Sequence, residues 1–319
     1  MVAASTAQAD APFFLVGAVR SGTTMLRLLL AHHSQICRCN EMEFVASAIS
    51  GRAGWPDLRA YRQEVEPSRA FRELGLQFPE SASFPELAAR FLQQRQSLDG
   101  RPIVGATVHN HFDELPRIWP GARYIYLVRD PRDVARSCVQ MGWAGNAWEA
   151  AAIWKTAHVT WQRLRASLPS ERLIEVRYED LMSHAESELD RIARFLGVAF
   201  EPGMLDIERD TNYKRPDPRA SRSWRSDAPA RDVREVEARL GPMLREAGYE
   251  PSGLPAMRLS PMKVWALHLE HRIGRMRFGQ RRYGLRLWLA HVIARRSPFD
   301  GWRRRVFRAM ENVDIRHLK

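Results

Sequence analysis

A three-layer α/β/α fold around a central parallel sheet, extended at its C-terminus by basic helices, is what this 319-residue sequence predicts. Three observations predict it. First, the apolar run Phe13-Phe14-Leu15-Val16 breaks into Gly17-Ala18-Val19-Arg20-Ser21-Gly22-Thr23-Thr24 and then into a helical run from Met25. Strands buried on both faces read as continuous apolar runs, and a glycine-bearing turn between strand and helix is how an anion-binding loop begins. Second, Tyr124-Ile125-Tyr126-Leu127-Val128 is followed at once by Arg129-Asp130-Pro131, with the proline suited to the first turn of a new helix. Third, residues 257–319 hold 16 Lys and Arg against four Asp and Glu, whereas residues 1–256 hold 33 of each, so the whole surplus of +12 belongs to the tail.

In chain order, a strand is expected at 13–17, a helix at 24–33, and an irregular stretch at 34–50. Residues 51–100 read as mostly helical, with turns at Trp55-Pro56, Glu66-Pro67 and Phe78-Pro79. Strands follow near 102–106, 123–129 and 172–177. A helix at 147–168 carries Trp154, Ala157, Trp161, Leu164 and Leu168 at alternating spacings of three and four, which is a core-facing stripe. The helix at 185–196 ends at Gly197, a residue suited to the left-handed cap. Residues 200–230, rich in Pro, Arg, Asp and Ser, read as a long loop, and loops of that length are functional lids or disordered. A helix at 232–247 closes the domain. The organisation is thus a flexible N-terminus at 1–11, the α/β domain at 12–250, a linker at 251–256 and the basic extension at 257–319.

The chemistry starts at the first loop. Its two glycines are spaced as in a P-loop, but the lysine that follows the second glycine in that motif is Thr23 here, and the nearest cation is Arg20. A nucleoside triphosphatase would be crippled by that change, so a different phospho-anhydride is indicated. Arg129 leaves a strand end, where ligands of open α/β sheets bind. Two such anion sites suit a nucleotide with phosphate at both ends. His32, His33, Cys37 and Cys39 cluster, but adjacent histidines on a helix point about 100° apart, and Cys-x-Cys is not a usual zinc spacing; no metal is expected. Glu41 and Glu43 read either as solvated acids or as a base beside the anion loop. Asp130, Glu179 and Asp180 read as groups that cap helices or orient arginines.

These motifs resemble those of the sulfotransferases that use 3′-phosphoadenosine 5′-phosphosulfate (PAPS). The matching segments are FFLVGAVRSGTTMLRLLLAHHSQI at 13–36, ARYIYLVRDPRDVARSCVQMGW at 122–143, EVRYEDLMSHAESELDRIARFLGV at 175–198 and YKRPDPRASRSW at 213–224. The resemblance covers roughly residues 12–250. It is nearest to a bacterial group related to the tyrosylprotein and heparan sulfotransferases. It implies a P-loop-like fold in which Arg20, Ser21, Gly22, Thr23 and Thr24 hold the phosphosulfate and Arg129 and Ser137 hold the 3′-phosphate. It further implies that Tyr178 approaches the nucleotide near the sulfonate, and that Thr211, Tyr213, Ser223 and Arg225 belong to a segment closing over it. Glu41 falls where the family carries its base. One departure stands out: many relatives have a Lys-Thr-Pro before the RDPRDV strand, and Ala106 matches its lysine. Arg20, His109 or His111 would then supply the missing charge.

The expected reaction is metal-free sulfonyl transfer from PAPS to a hydroxyl or amine, releasing adenosine 3′,5′-bisphosphate (PAP), with Glu41 as base and Arg20 on the anhydride. The acceptor, whether carbohydrate, glycolipid, peptide or metabolite, is not legible. The other readings are a P-loop kinase or nucleotide-binding protein, and a relative that binds nucleotide without turnover. No apolar stretch approaches the ~20 residues of a membrane span, and the N-terminus lacks the basic start and apolar core of a signal peptide. A cytoplasmic enzyme is expected, peripheral at the inner membrane surface if its tail docks there. The three cysteines form no disulfide framework. The tail suits packing on its own domain, a homo-oligomer contact or an anionic membrane surface. A nucleic-acid partner is disfavoured by the lack of a recognised binding motif.

Overall fold

The computed structural model describes residues 11–318; the N-terminal segment expected to be flexible lies, except for Ala11, outside them. Four strands form one parallel sheet: β1 (Phe13–Val16), β2 (Gly105–Val108), β3 (Arg123–Val128) and β4 (Leu173–Arg177), in the order β2-β1-β3-β4. Leu15 pairs with Thr107 on one side and with Ile125 on the other. β1, β2 and β3 are buried along their whole length, and the apolar runs read at 13–16 and 124–128 reflect it. Two isolated parallel bridges, Ile36 to Ile103 and Glu41 to Thr107, run the chain along the outer edge of β2.

Helices cover both faces, giving three layers. On one face, Leu26, Leu29 and Leu30 of α1 (Thr23–Ala31) and Leu189, Ile192 and Leu196 of the helix Ala185–Leu196 pack on Phe13, Leu15, Ile125 and Leu127. On the other, Phe14 meets Trp119 and Tyr124 at 5.0 and 5.7 Å, and Tyr126 stacks on Trp161 at 4.5 Å.

The sequence-based expectations differ from the fold in four places. β2 lies three residues later than expected, because Gly105 is inside the strand: a Cβ there would sit 2.4 Å from the Phe13 ring, so the glycine admits the aromatic neighbour. The stretch 34–50, read as irregular, contains the helix Glu43–Ile49. The long loop at 200–230 is folded into short helical turns at Pro202–Leu205, Ile207–Arg209 and Pro218–Ala220, and the helix Trp224–Asp227. The helix expected at 232–247 breaks at Gly241-Pro242 into Ala230–Leu240 and Met243–Glu246, since Gly241 takes a positive φ and proline lacks the N–H to continue the ladder.

The chain divides into two compact units. One holds residues up to Val134 together with Ile153–Asp227 and carries the sheet. The other holds Ala135–Ala152 together with the chain from Ala228 onward. Its main elements are the helix Ala230–Leu240, a long helix Pro261–Ala294 broken at Gly284, and the helix Asp300–Leu318. Within it, Trp148 N–H donates to Glu235 at 3.3 Å and the Tyr283 hydroxyl donates to Asp314 at 2.9 Å. Among the described residues, no helix is long and apolar enough to cross a membrane.

Candidate active site

The residue that directly follows each strand carries the site. β1 gives way to Gly17, β2 to His109, β3 to Arg129 and β4 to Tyr178. In a parallel sheet these ends lie along one crevice.

The loop after β1 is shaped for an anion. Arg20 and Gly22 take left-handed backbone, φ 69° and 96°, with Ser21 between them in the ordinary region. Such alternation turns successive N–H groups toward one point. Gly22 caps α1 with no side-chain hydrogen bond, so the helix N-terminus is left to a ligand. The Ser21 hydroxyl is buried and has no hydrogen-bond partner, which is costly unless a bound group satisfies it.

Arg129 is fixed against this loop. Its guanidinium lies 4.2 Å from the centre of the Tyr178 ring, donates to the Arg20 carbonyl at 3.5 Å and to the Ala220 carbonyl at 3.3 Å, and approaches Asp133 at 3.9 Å. Its Nε is buried and unpartnered. Behind it, the Trp154 indole N–H donates to the Arg129 carbonyl at 2.9 Å. Tyr178 in turn closes on the loop, since a Cβ on Gly22 would fall 2.4 Å from its ring. Burial pushes the Tyr178 phenol above its ordinary pKa, partly offset by the Arg129 charge.

The edge of β2 supplies an acid and an imidazole. His109 is buried, and its Nδ1 donates to the Gly17 carbonyl at 2.9 Å, which fixes that nitrogen as protonated. Its Nε2 faces exposed Glu41 at 3.9 Å. His109 holds the Glu41 carboxyl below the usual carboxylate range, with a further contribution from the Arg27 charge. Burial alone would lower the His109 imidazole, but pairing with Glu41, the Gly17 carbonyl and the charge of Glu43 raise it above its ordinary value. Both carboxylate oxygens of Glu43 are taken by backbone, from His109 N–H at 2.8 Å and Asn110 N–H at 3.0 Å. His111 bonds Ser50 at 2.7 Å. Ala106 is fully buried inside β2, opposite Phe14. His109, directly after the strand, is the residue that meets Glu41.

The profile of the sulfotransferase family (Sulfotransfer_3) matches residues 12–202. This chain belongs to the sulfotransferase family. Protein-tyrosine sulfotransferase 2 of Gallus gallus is 23% identical over 272 residues, covering 77% of this chain and 71% of that one. Protein-tyrosine sulfotransferase A of Caenorhabditis elegans is 22% identical over 266 residues, covering 76% and 69%. Among solved structures, the sulfotransferase domain from the Synechococcus PCC 7002 olefin synthase superposes with a TM-score of 0.56 at 19% identity, over 76% of this chain and 95% of that one. That likeness establishes the shared fold.

In this sulfotransferase, the other residues expected at the nucleotide fall into separate places. The Ser223 hydroxyl donates to Asp133 at 2.9 Å and the Trp224 N–H to the same oxygen at 2.8 Å, so the segment that carries Ala220 is tied to the helix after Arg129. Asp130 anchors it further, accepting from the Trp224 indole and from Arg132, whose guanidinium lies 3.7 Å from the centre of the Trp224 ring. Arg225 sits on the same indole at 5.0 Å. Tyr213 is exposed and near enough to Tyr178 to affect its titration. The Thr211 hydroxyl donates to the Ile207 carbonyl at 2.6 Å, and Thr211 lines a different cavity. Ser137 lies on the helix Pro131–Gln140, half-buried, in the second unit.

Two cavities were not legible in the sequence. One, of about 520 Å³, is lined by Met25, Met182, Glu208, Lys214, Arg215, Pro216, Asp217, Pro218 and Ala220, the last of which also holds Arg129. The other, of about 460 Å³, is lined by Arg27, Leu28, Ala31, His32, Arg38, Asn40, Arg101, Asp210 and Thr211. Asp210 is engaged by His32 at 3.0 Å. The clustered His33 and Cys37 serve packing: His33 bonds the Ala199 carbonyl at 2.8 Å and Cys37 the Arg101 carbonyl at 3.2 Å. Among the described residues, no group of three or more His, Cys, Asp or Glu is arranged to hold a metal.

Proposed function

We propose that the chain transfers the sulfonyl group of PAPS to a hydroxyl or amine of an acceptor in the crevice at the strand ends. The convergence of the Gly17–Thr24 loop, Arg129, Tyr178 and the Glu41–His109 pair on the residues that follow the four strands carries this reading. PAPS brings an activated sulfonyl group on a phosphate leaving group. The donor set suits it: the unpartnered Ser21 hydroxyl and Arg129 Nε are what two anionic groups would satisfy.

In this reading Arg20, Ser21, Gly22, Thr23 and Thr24 bind the phosphosulfate, and loop N–H groups stabilise charge on the leaving oxygen. Arg129 binds the 3′-phosphate. The larger cavity takes the nucleoside between Met25, Met182 and the prolines. Thr211, on the arginine-lined cavity, is left with the acceptor side. Glu41 takes the acceptor proton, and His109 keeps it ionised while tying it to the loop through the Gly17 carbonyl. Glu43, with both oxygens engaged, holds the turn after β2 instead. The cavity lined by Asn40 presents Arg27, whose charge acts on Glu41, together with Arg38 and Arg101, which suits an acceptor bearing an anionic group. Because two relatives are protein-tyrosine sulfotransferases, a phenol is the first acceptor to assay.

Calorimetry with PAP and with ATP tests the donor. PAP should bind at least roughly tenfold tighter, a difference of about 1.4 kcal/mol, and radiolabelled PAPS should pass its label to an acceptor pool. ATP binding as tightly as PAP would favour the kinase reading. Tight PAP binding with no label transfer even in a single turnover would favour a non-catalytic relative.

A further inference from the structure

The long helix Pro261–Ala294 has two apolar faces. Before its break at Gly284, one face is docked within its own unit. Leu267 is buried and its carbonyl accepts from Asn146 at 2.7 Å; His271 Nδ1 accepts from Gly145 N–H at 3.1 Å. Gly274 lies so close to Gly145 that a Cβ would meet its carbonyl oxygen at 2.3 Å, and the Phe278 ring would meet a Cβ on Gly142 at 2.2 Å. At ~100° per residue, these four helix positions fall within about 60° of one another.

Met262, Trp265, Leu269 and Met276 also fall within about 60°, centred about 180° from the docked face. All four are exposed, Met262 by 77% and Trp265 by 65%. A surface helix ordinarily turns a polar face to water once its apolar face is docked. This one instead presents a second apolar stripe with a tryptophan, bordered by exposed Arg272 and Arg277. Beyond Gly284, Leu285, Leu289 and Val292 repeat the pattern at helical spacing, again exposed.

We propose that this second stripe docks on an anionic phospholipid bilayer, its apolar side chains entering the headgroup boundary and its arginines meeting lipid phosphates. Charge selects the occupant. Residues 257–319 carry 16 Lys and Arg against four acids, and two of those acids are engaged internally, Glu270 with Arg231 and Asp314 with Arg282. Pairing two copies of this face across a two-fold axis would set cation against cation. Nucleic acid would use the arginines but leave the apolar stripe in water.

The test uses the full chain and sedimentation with vesicles of phosphatidylcholine, with or without phosphatidylglycerol, at low and high salt. Anionic vesicles should bind at least roughly tenfold more tightly than neutral ones, and salt should weaken them as the Debye length falls from ~10 Å at 0.1 M to ~3 Å at 1 M. The triple variant Met262→Ser, Leu269→Ser, Met276→Ser, all at exposed positions, should keep its circular dichroism and lose at least about tenfold in vesicle affinity. Arg272→Gln with Arg277→Gln leaves the stripe intact and should reduce both affinity and salt dependence. Equal binding to neutral and anionic vesicles, or undiminished binding by both variants, would overturn the proposal. So would vesicle indifference together with a dimer that the stripe variant dissociates, or with oligonucleotide binding that the stripe variant retains.

Discussion

In the proposed reading, the donor side and the acceptor side of the crevice are built to different standards of rigidity. On the donor side, Arg129 is held by the Tyr178 ring, two loop carbonyls and Asp133, and is backed by the Trp154 indole. On the acceptor side, Glu41 is exposed and meets His109 at 3.9 Å, while the neighbouring Asn40 lines a cavity of about 460 Å³. The difference teaches what each side recognises. A donor of one fixed shape is met by cations arranged in advance, which need no reorganisation during the reaction. An exposed acid leaves space for an acceptor to bring its own proton within reach.

The sharpest way to break that comparison is Glu41→Gln, which keeps size and removes the base. Single-turnover transfer should fall by about 10²–10⁴, while PAP affinity stays unchanged. A fall in both would join the two halves that the geometry separates. Next is Gly22→Ala, which drives a Cβ into the Tyr178 ring at 2.4 Å. Urea denaturation should register a loss of about 1–3 kcal/mol. With Tyr178→Leu the two losses should not add, differing from their sum by roughly 0.5–3 kcal/mol; strict additivity would mean the ring does not rest on the loop.

The smallest effect lies in the pH profile. Glu41 is held below the usual carboxylate range by His109, so the rate should rise with pH through a value below about 4.3 and be flat across neutrality. His109→Gln removes that cause and should move the acid limb upward. If His109 were itself the base, the limb would lie above about 6.5, because its pKa is raised and it must lose a proton to act.

The anion-shaped loop and the arginine after β3 were legible because each is local. Residues 17–24 form a contiguous cradle whose glycines and helix start are visible in the sequence, and Arg129 announces itself between a β-rich run and a proline. Tyr178 had only its place in the YEDL stretch and a family likeness; its stacking under Arg129 joins two strand ends far apart in the chain. The end of β2 was misread because Gly105, which makes room for Phe13, looks like a strand terminator. His109 was visible as a candidate for the charge missing at Ala106, but its place directly after β2 was not. The arginine-lined cavity draws Arg27, Arg38 and Arg101 from three segments, and no spacing rule connects them. The outward stripe on the long helix could be seen as apolar, but which face would dock depended on Gly142, Gly145 and Asn146, more than a hundred residues earlier.

The account rests most directly on Arg129 at the 3′-phosphate end of a donor whose other end lies on the Arg20 loop. Calorimetry of PAP and AMP against the unaltered protein and Arg129→Ala tests that claim in one comparison. PAP affinity should fall about ten- to a hundredfold, the equivalent of a lost charged hydrogen bond of roughly 1.5–3 kcal/mol, with AMP affinity nearly unchanged. Equal losses for the two nucleotides would contradict it.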